Sequence, residues 1–233
     1  WIAHSQEAVQ GRLRGPLGTF VEFLGESPKA RQEMAYESQM WGHCVGRLAG
    51  GRTFLGGVGG CCGEGLESGR MRLFSYRTGA AQPRITVNAF VQKDGKLKIE
   101  QIKGKQNRPP IARYVPDVVT LLNHLPLNDE VPEDAVAMGI VRRPPDVLQA
   151  HPELTPWCSV QELQTDNEQL WLMQQYPSLL PQLNLQSPLM QWMVAARKDS
   201  LDSEVIDRMP KSAALKHTLQ MAKKRPLRAG GRV

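Results

Sequence analysis

The sequence has few cysteines and no uninterrupted apolar run, and each of these shortages argues against a class of protein. Only four of the 233 residues are cysteine, and none forms a C-x-x-C pair. A chain of this length can bury a core without disulfides, so we expect a reducing compartment. The uncharged stretch 170–196 contains Pro177, Pro181 and Pro188, which favours packed helices over a transmembrane segment.

Acidic residues are missing from the end of the chain. Residues 208–233 carry eight Lys or Arg and no Asp or Glu, whereas the other 207 residues carry 21 basic and 23 acidic side chains. A second cluster, residues 93–113, has seven cations against Asp94 and Glu100. Such clusters attract anions, so we expect a nucleic acid or an acidic protein surface as partner. The alternative for the tail is an ordinary solvated segment.

The first forty residues predict two helices. Residues 5–24 indicate a helix interrupted near Gly15-Pro16, and Ser27-Pro28 starts the second with Ser as N-cap and Pro in the first turn. The first twenty residues show no signal-peptide pattern. Because the chain begins with Trp rather than Met, we expect a trimmed or partial chain. Nine glycines within 50–69 predict a Gly-rich loop insert.

A compact β region follows this insert. Residues 71–77, 84–91 and 96–102 each have the composition and alternation of a strand. Asp94-Gly95 predicts a tight hairpin turn between the last two. On the third strand the alternation places Gln101 on the same side as Leu97 and Ile99, which would turn it inward or into a cleft.

The rest of the chain predicts helices. Residues 114–125 have one apolar face, with Pro116 acceptable only in the first turn, and Ser159 with Glu162 indicates a capping box. We therefore predict an α+β fold with a small antiparallel sheet of three to four strands covered by helices. Its core would occupy residues 1–127, and a helical region with the basic tail would occupy 128–233.

The pair His43-Cys44 is the first candidate for chemistry. A cysteine beside a histidine suggests a nucleophile and its base, but neighbours on a helix point about 100° apart, and cysteine is often a core residue. A zinc site would need both of these and Cys61-Cys62, at poor spacing, so we predict no metal. The Gly-rich insert matches neither phosphate-binding fingerprint.

The second candidate is the end of the third strand, "QIKGKQN", where Gln101, Lys103, Lys105 and Asn107 cluster. Some metal-dependent nucleases place a carboxylate or Gln two residues before a catalytic Lys, but they also need an acid on the preceding strand, where this chain has Asn88. Asn107 and the prolines that follow predict a rigid turn. The plain alternative is a solvated basic strand end.

Four short blocks in this order resemble the PcfJ family of bacterial proteins associated with conjugative plasmids and mobile elements. The resemblance covers about residues 35–125. Its blocks are a His-Cys-Val helix, two strands and a Gln-x-x-Gly-Lys-x-Asn segment, matched here by Trp41, His43, Cys44, Val45, Gly46, Phe74, Ser75, Arg77, Thr86, Val87, Gln101, Gly104, Lys105 and Asn107. This chain departs from the pattern at Asn88, where the family has Glu, and in its Gly-rich insert.

The resemblance implies one cleft built from the His43-Cys44 helix and the strand end, with Arg77, Gln101, Lys103, Lys105 and Asn107 binding a ligand. We expect an anion-binding, nucleic-acid-associated protein of mobile-element or secreted-effector type, in the bacterial cytoplasm or secreted into a host cell. One alternative is a Cys44-dependent thiol enzyme, with His43 beside the nucleophile, that modifies proteins. Another is a non-catalytic module that binds partners through its Trp- and Met-rich helices. No cofactor follows from the sequence.

Overall fold

The computed structural model describes residues 8–25, 27–41, 65–66, 68–79, 82–183, 185, 187–188 and 190. The chain divides into two compact units, Trp1–Cys158 and Ser159–Val233.

An antiparallel sheet of five strands, in the order β1-β2-β3-β4-β5, is the framework of the first unit. Each strand pairs with its neighbour in sequence. The strands are β1 (Val9–Arg14), β2 (Thr19–Phe23), β3 (Met71–Thr78), β4 (Gln82–Val91) and β5 (Leu97–Lys103). The mixed fold with an antiparallel sheet agrees with the prediction, but the sheet has five strands rather than three to four.

The two additional strands come from residues 5–24, where the prediction of a helix was wrong. Residues 9–14 alternate between half-buried and exposed positions, which is the period of an edge strand. Gly15 donates its N–H to the carbonyl of Gly18 at 2.8 Å, so Gly15-Pro16 forms a hairpin turn rather than a helix interruption.

The predicted strands and turn of the β region are confirmed. Gly95 has a φ of 81° in the turn between β4 and β5, a conformation that glycine adopts without steric cost. A β-bulge interrupts the register of the two strands, because Asn88 faces Gln101 while Ala89 faces Ile99.

The bulge corrects the predicted direction of Gln101. Glu100 is the extra residue, and one extra residue reverses which side chains point inward. Ile102, which is fully buried, therefore continues the buried face of Leu97 and Ile99. Gln101 lies on the opposite face of the sheet, beside Asn88.

One helix packs on each face of this sheet. Helix α1 (Pro28–Trp41) begins at the predicted Ser27-Pro28 start, where Ser27 Oγ accepts the N–H of Lys29 at 3.2 Å. Helix α2 (Val115–His124) carries Pro116 in its first turn, as predicted. Its apolar side packs in the main core, while Ala30 and Met34 of α1 pack in a smaller core on the other face.

The first unit continues through α3 (Glu133–Ala137), β6 (Ile140–Arg142), α4 (Pro145–Ala150) and β7 (Trp157–Ser159), where β6 and β7 form a two-stranded sheet. The unit ends at Cys158, later than the boundary expected near residue 128. Trp157 explains the difference, because it is buried in the main core and exchanges two hydrogen bonds with Asn123 of α2, each 2.9 Å long.

The described part of the second unit is helical. It contains α5 (Asp166–Gln175) between two 3-10 segments, Val160–Glu162 and Pro177–Gln182. The predicted capping box of Ser159 and Glu162 is confirmed on the first 3-10 segment. Thr165 and Glu168 form a second capping box at the start of α5.

Asp117, in the first turn of α2, connects that helix to the β1–β2 turn. Its side chain is fully buried, and Oδ1 accepts the N–H groups of Leu17 at 3.0 Å and Gly18 at 3.3 Å. A buried backbone N–H that loses its partner carries a full desolvation cost. Asp117 therefore holds the first hairpin against the helix that covers the sheet.

Replacing Asp117 with Ala should lower the free energy of unfolding by about 2 kcal/mol, because two partly buried backbone amides lose their acceptor. Asp117→Asn should cost less, since its amide oxygen can still accept both bonds. Urea denaturation of the full chain measures both effects. As a control, Glu130→Ala breaks the exposed Lys98–Glu130 ion pair and should cost less than about 1 kcal/mol. Equal, small losses in all three variants would contradict this role of Asp117.

Candidate functional site

The sheet face under α1 carries an unusual set of buried polar side chains. On β3 and β4 they are Ser75, Arg77, Thr86 and Asn88, and on α1 they are Glu33 and Glu37. Ser75 faces Thr86 across the two strands. The face therefore combines an apolar layer with a charged interior cluster, which we define as Glu33, Glu37, Ser75 and Arg77.

Arg77 is the centre of the interior cluster. Its Nη2 donates to Glu33 Oε2 at 2.8 Å and to Glu37 Oε1 at 3.1 Å. Ser75 Oγ donates to the same Glu37 oxygen at 2.6 Å, and the guanidinium carbon lies 5.6 Å from the centroid of the Phe23 ring. These contacts fix α1 on the sheet, because removing one partner would leave a buried charge unpaired.

Among the four residues of the interior cluster, two carboxyl groups share one guanidinium. Glu37 is fully buried, and its Oε2 has no hydrogen-bond partner in the described part of the chain. Burial raises the pKa of Glu37 to about 7, although Arg77 and Ser75 act in the opposite direction. Protonation of Glu37 below about pH 7 therefore reduces the negative charge buried among these four residues.

Two of the predicted ligand-binding residues form ion pairs inside the protein. Arg77 belongs to the interior cluster, and Lys103 Nζ contacts Asp134 Oδ1 at 2.6 Å. The other oxygen of Asp134 accepts the N–H of Ile102 at 2.8 Å, so α3 is held against the outer edge of β5. Gln101 lines a cavity of about 450 Å³ at this edge, together with Lys98, Glu100, Lys103 and residues 130–134.

The chain turns sharply after β5 in a segment we call the strand-end hook, residues 104–108. Gly104 donates its N–H to the carbonyl of Arg108 at 2.7 Å, and Arg108 donates to the carbonyl of Lys105 at 3.2 Å. Gln106 and Asn107 both have a φ of 58°. This value lies in the left-handed region, which residues other than Gly and Asn rarely adopt. The hook is therefore a closed turn with local strain at Gln106.

The hook and the first residues of β4 enclose a cavity of about 320 Å³, which we call the basic pocket. Of the described residues that line it, Arg84, Lys105 and Arg108 are cationic and none is acidic. The remaining lining residues are Gly104, Gln106, Pro109, Pro110, Ile111 and Tyr114. A concave surface with convergent cations and some apolar wall is the form expected of an anion-binding site.

The structure separates the residues that the sequence assigned to one cleft. Gln101 and Lys105 line different cavities, and Arg77 lies in the interior cluster. Asn107 follows Lys105 in the hook and is exposed. His43 and Cys44 lie outside the described residues, as do Cys61, Cys62, most of the Gly-rich insert and the basic tail. The thiol chemistry and the shared cleft with His43 therefore stay predictions.

Sequence reasoning missed Arg84 and Arg108 as site residues. Arg84 lies near the start of β4, two residues before Thr86, which faces Lys103 of β5. It meets Lys105 only as a lining residue of the basic pocket, and no local sequence pattern marked it. Glu33 and Glu37 were missed as well, because acids spaced four residues apart on a helix usually indicate a solvated face.

Two further observations apply to the described residues alone. No group of three or more His, Cys, Asp or Glu side chains there is placed to hold a metal ion. None of the helices in that part of the chain has both the length and the apolar character needed to cross a membrane.

The pKa of Glu37 predicts how stability changes with pH. The folded chain keeps this proton up to about pH 7, whereas the ordinary value of 4.5 applies once the chain unfolds. The folded state therefore binds more protons between these values, and the free energy of unfolding should decrease across pH 4.5–7. The contribution of this group is up to about 3 kcal/mol. Glu37→Gln should remove it.

Urea denaturation at pH 5 and pH 8 measures this effect. We compare the free energy of unfolding of Glu37→Gln with that of the wild type at each pH. The difference should favour the variant more at pH 8 than at pH 5. Glu130→Gln, which neutralises an exposed carboxylate, should follow the wild-type dependence. If wild type and Glu37→Gln lose the same stability between the two pH values, Glu37 is ionised in the folded protein and the protonation described above is wrong.

Comparison with known proteins adds no relative: no family model matches the sequence, and no curated protein or solved structure is significantly similar to it.

Proposed function

We propose that this protein binds phosphate groups of nucleic acid through the basic pocket. The observation that carries the proposal is the convergence of Arg84, Lys105 and Arg108 on one cavity without an acidic side chain among its described lining. Lys and Arg that contact phosphates supply the sequence-independent part of nucleic-acid binding. Lys105 keeps the role of anion anchor that the sequence suggested.

Arg84 is held in a defined position at the pocket. Its Nε donates to Thr78 Oγ1 at 3.0 Å, and its Nη2 donates to Gln82 Oε1 at 2.8 Å. These two bonds orient the guanidinium at the pocket. An oriented guanidinium suits phosphate oxygens, which it can bind through two parallel hydrogen bonds.

The hook supports the proposal because it holds its own cations in place before any ligand arrives. The bond between Gly104 and Arg108 closes the turn, and Pro109 and Pro110 restrict the chain that follows it. A Cβ at Gly104 would lie 3.2 Å from the Cα of Pro110, a tight contact that favours glycine at this position. A preformed site loses less conformational entropy on binding.

The sequence context agrees with this proposal. The tail at 208–233 adds eight cations, a residue type that contacts phosphates, and the sequence predicts a helical region before it. The resemblance to PcfJ proteins suggests a mobile-element or secreted-effector setting, in the bacterial cytoplasm or in a host cell. We propose this setting together with the binding function.

The double variant Lys105→Ala/Arg108→Ala tests the proposal. Fluorescence anisotropy with a labelled oligonucleotide, at several salt concentrations, gives the affinity and its salt dependence. If both side chains contact phosphates, affinity falls and the slope of log K against log salt becomes shallower by about 1.5. Because both residues are exposed, the fold should survive, and urea denaturation checks this.

The matched control is Lys96→Ala/Lys98→Ala, which removes the same charge at the other end of β5. It should leave the salt slope almost unchanged, because Lys98 is paired with Glu130 and neither residue lines the basic pocket. The proposal fails if the wild type binds no oligonucleotide at low salt. It also fails if both double variants weaken binding equally, since the effect would then be one of net charge alone.

A further inference from the structure

The basic pocket has an apolar side as well as a charged one. Ile111 is 60% exposed, the largest exposure among the large apolar side chains of the described residues, and it lines the pocket beside Pro109 and Tyr114. An exposed isoleucine at the wall of a concave site is a candidate contact for an apolar ligand surface. Phosphate alone would not use it.

The apolar side is as rigid as the charged side. Tyr114 is nearly buried, and its ring packs edge-on against Tyr76 with centroids 5.2 Å apart. The guanidinium carbon of Arg113 lies 5.8 Å from the centroid of the Tyr114 ring. Pro109 has a fixed φ, and Ile111 follows Pro110, which is buried. These contacts and the two prolines hold the backbone of the wall in place.

A pocket with both a cationic side and an apolar side suits single-stranded nucleic acid better than a duplex. In a duplex the bases are stacked and paired, so a protein pocket meets only phosphates, sugars and groove edges. In a single strand a base can turn outward and place its face on an apolar wall while the adjoining phosphate meets the cations. The volume of about 320 Å³ suits one small-molecule-sized group rather than a groove-filling contact.

We propose that the basic pocket takes one nucleotide of a single-stranded nucleic acid, with the base against Ile111 and Pro109 and the flanking phosphate on Lys105 and Arg108. This inference rests on the proposed function and adds the class of nucleic acid. Selectivity comes from the apolar wall, whereas the cations attract both forms.

The test compares a labelled oligothymidylate of twelve residues with a mixed-sequence duplex of the same length, at a salt concentration where both can be measured. The full-length wild type should bind the single strand about tenfold or more tightly than the duplex, since single-strand contacts include base burial. Ile111→Ser keeps every charge and should weaken single-strand binding about fivefold, from the loss of apolar contact. It should leave duplex binding and the salt slope unchanged.

Val91→Ser is the matched control, because Val91 is 38% exposed and lies at the end of β4 remote from Arg84. It should change neither affinity. Equal affinity of the wild type for both forms overturns this inference and leaves the proposed function standing. A single-strand preference that Ile111→Ser does not reduce also overturns it. Absence of binding to either form at low salt is a different result, because it removes the proposed function itself.

Discussion

The hydrogen bond from the Gly104 N–H to the Arg108 carbonyl is the constraint on which the proposed site depends. It closes the chain immediately after β5, and so brings Lys105 and Arg108 back toward the start of β4, where Arg84 lies. Without this closure, two cations at the end of an edge strand would point into solvent as an ordinary basic segment. With it, backbone geometry brings three positive charges together, at the cost of left-handed conformations at Gln106 and Asn107. Such strain persists where the surrounding structure enforces it, and it often marks functional segments.

The cations of the first unit occupy two kinds of position, in ion pairs that anchor helices and around the basic pocket. Arg77 pairs with the acids of α1 and so holds α1 on the face of the sheet. Lys103 pairs with Asp134 and so holds α3 at the edge of the sheet. Within the interior cluster, burial raises the pKa of Glu37 to about 7. The basic pocket differs because no acid is among its described lining residues. The positions of the carboxylates therefore separate the cations that anchor helices from those that line the pocket.

Much of the sheet could be predicted from the sequence, because β3, β4 and β5 show strand composition and Asp94-Gly95 specifies their turn. The first hairpin was missed because residues 9–14 contain only two apolar side chains, too few to separate a strand from a helix. The direction of Gln101 could not be predicted, since a bulge at Glu100 depends on packing against β4 and leaves no local signal. The hook itself was visible as a polar, proline-bounded turn, but its partner Arg84 comes from another strand. The local sequence pattern therefore identified the individual segments. Which segments contribute to the same site depends on contacts between strands that are distant in sequence.

The central claim is that the hook and the start of β4 form the proposed binding surface. The most direct measurement is a titration of the ¹⁵N-labelled full-length chain with oligothymidylate, followed by amide chemical shifts. We expect the largest shifts at Arg84, Lys105, Arg108 and Ile111, with a common saturation point. Binding that shifts the amides of residues 208–233 and leaves those of the hook unchanged would contradict the claim.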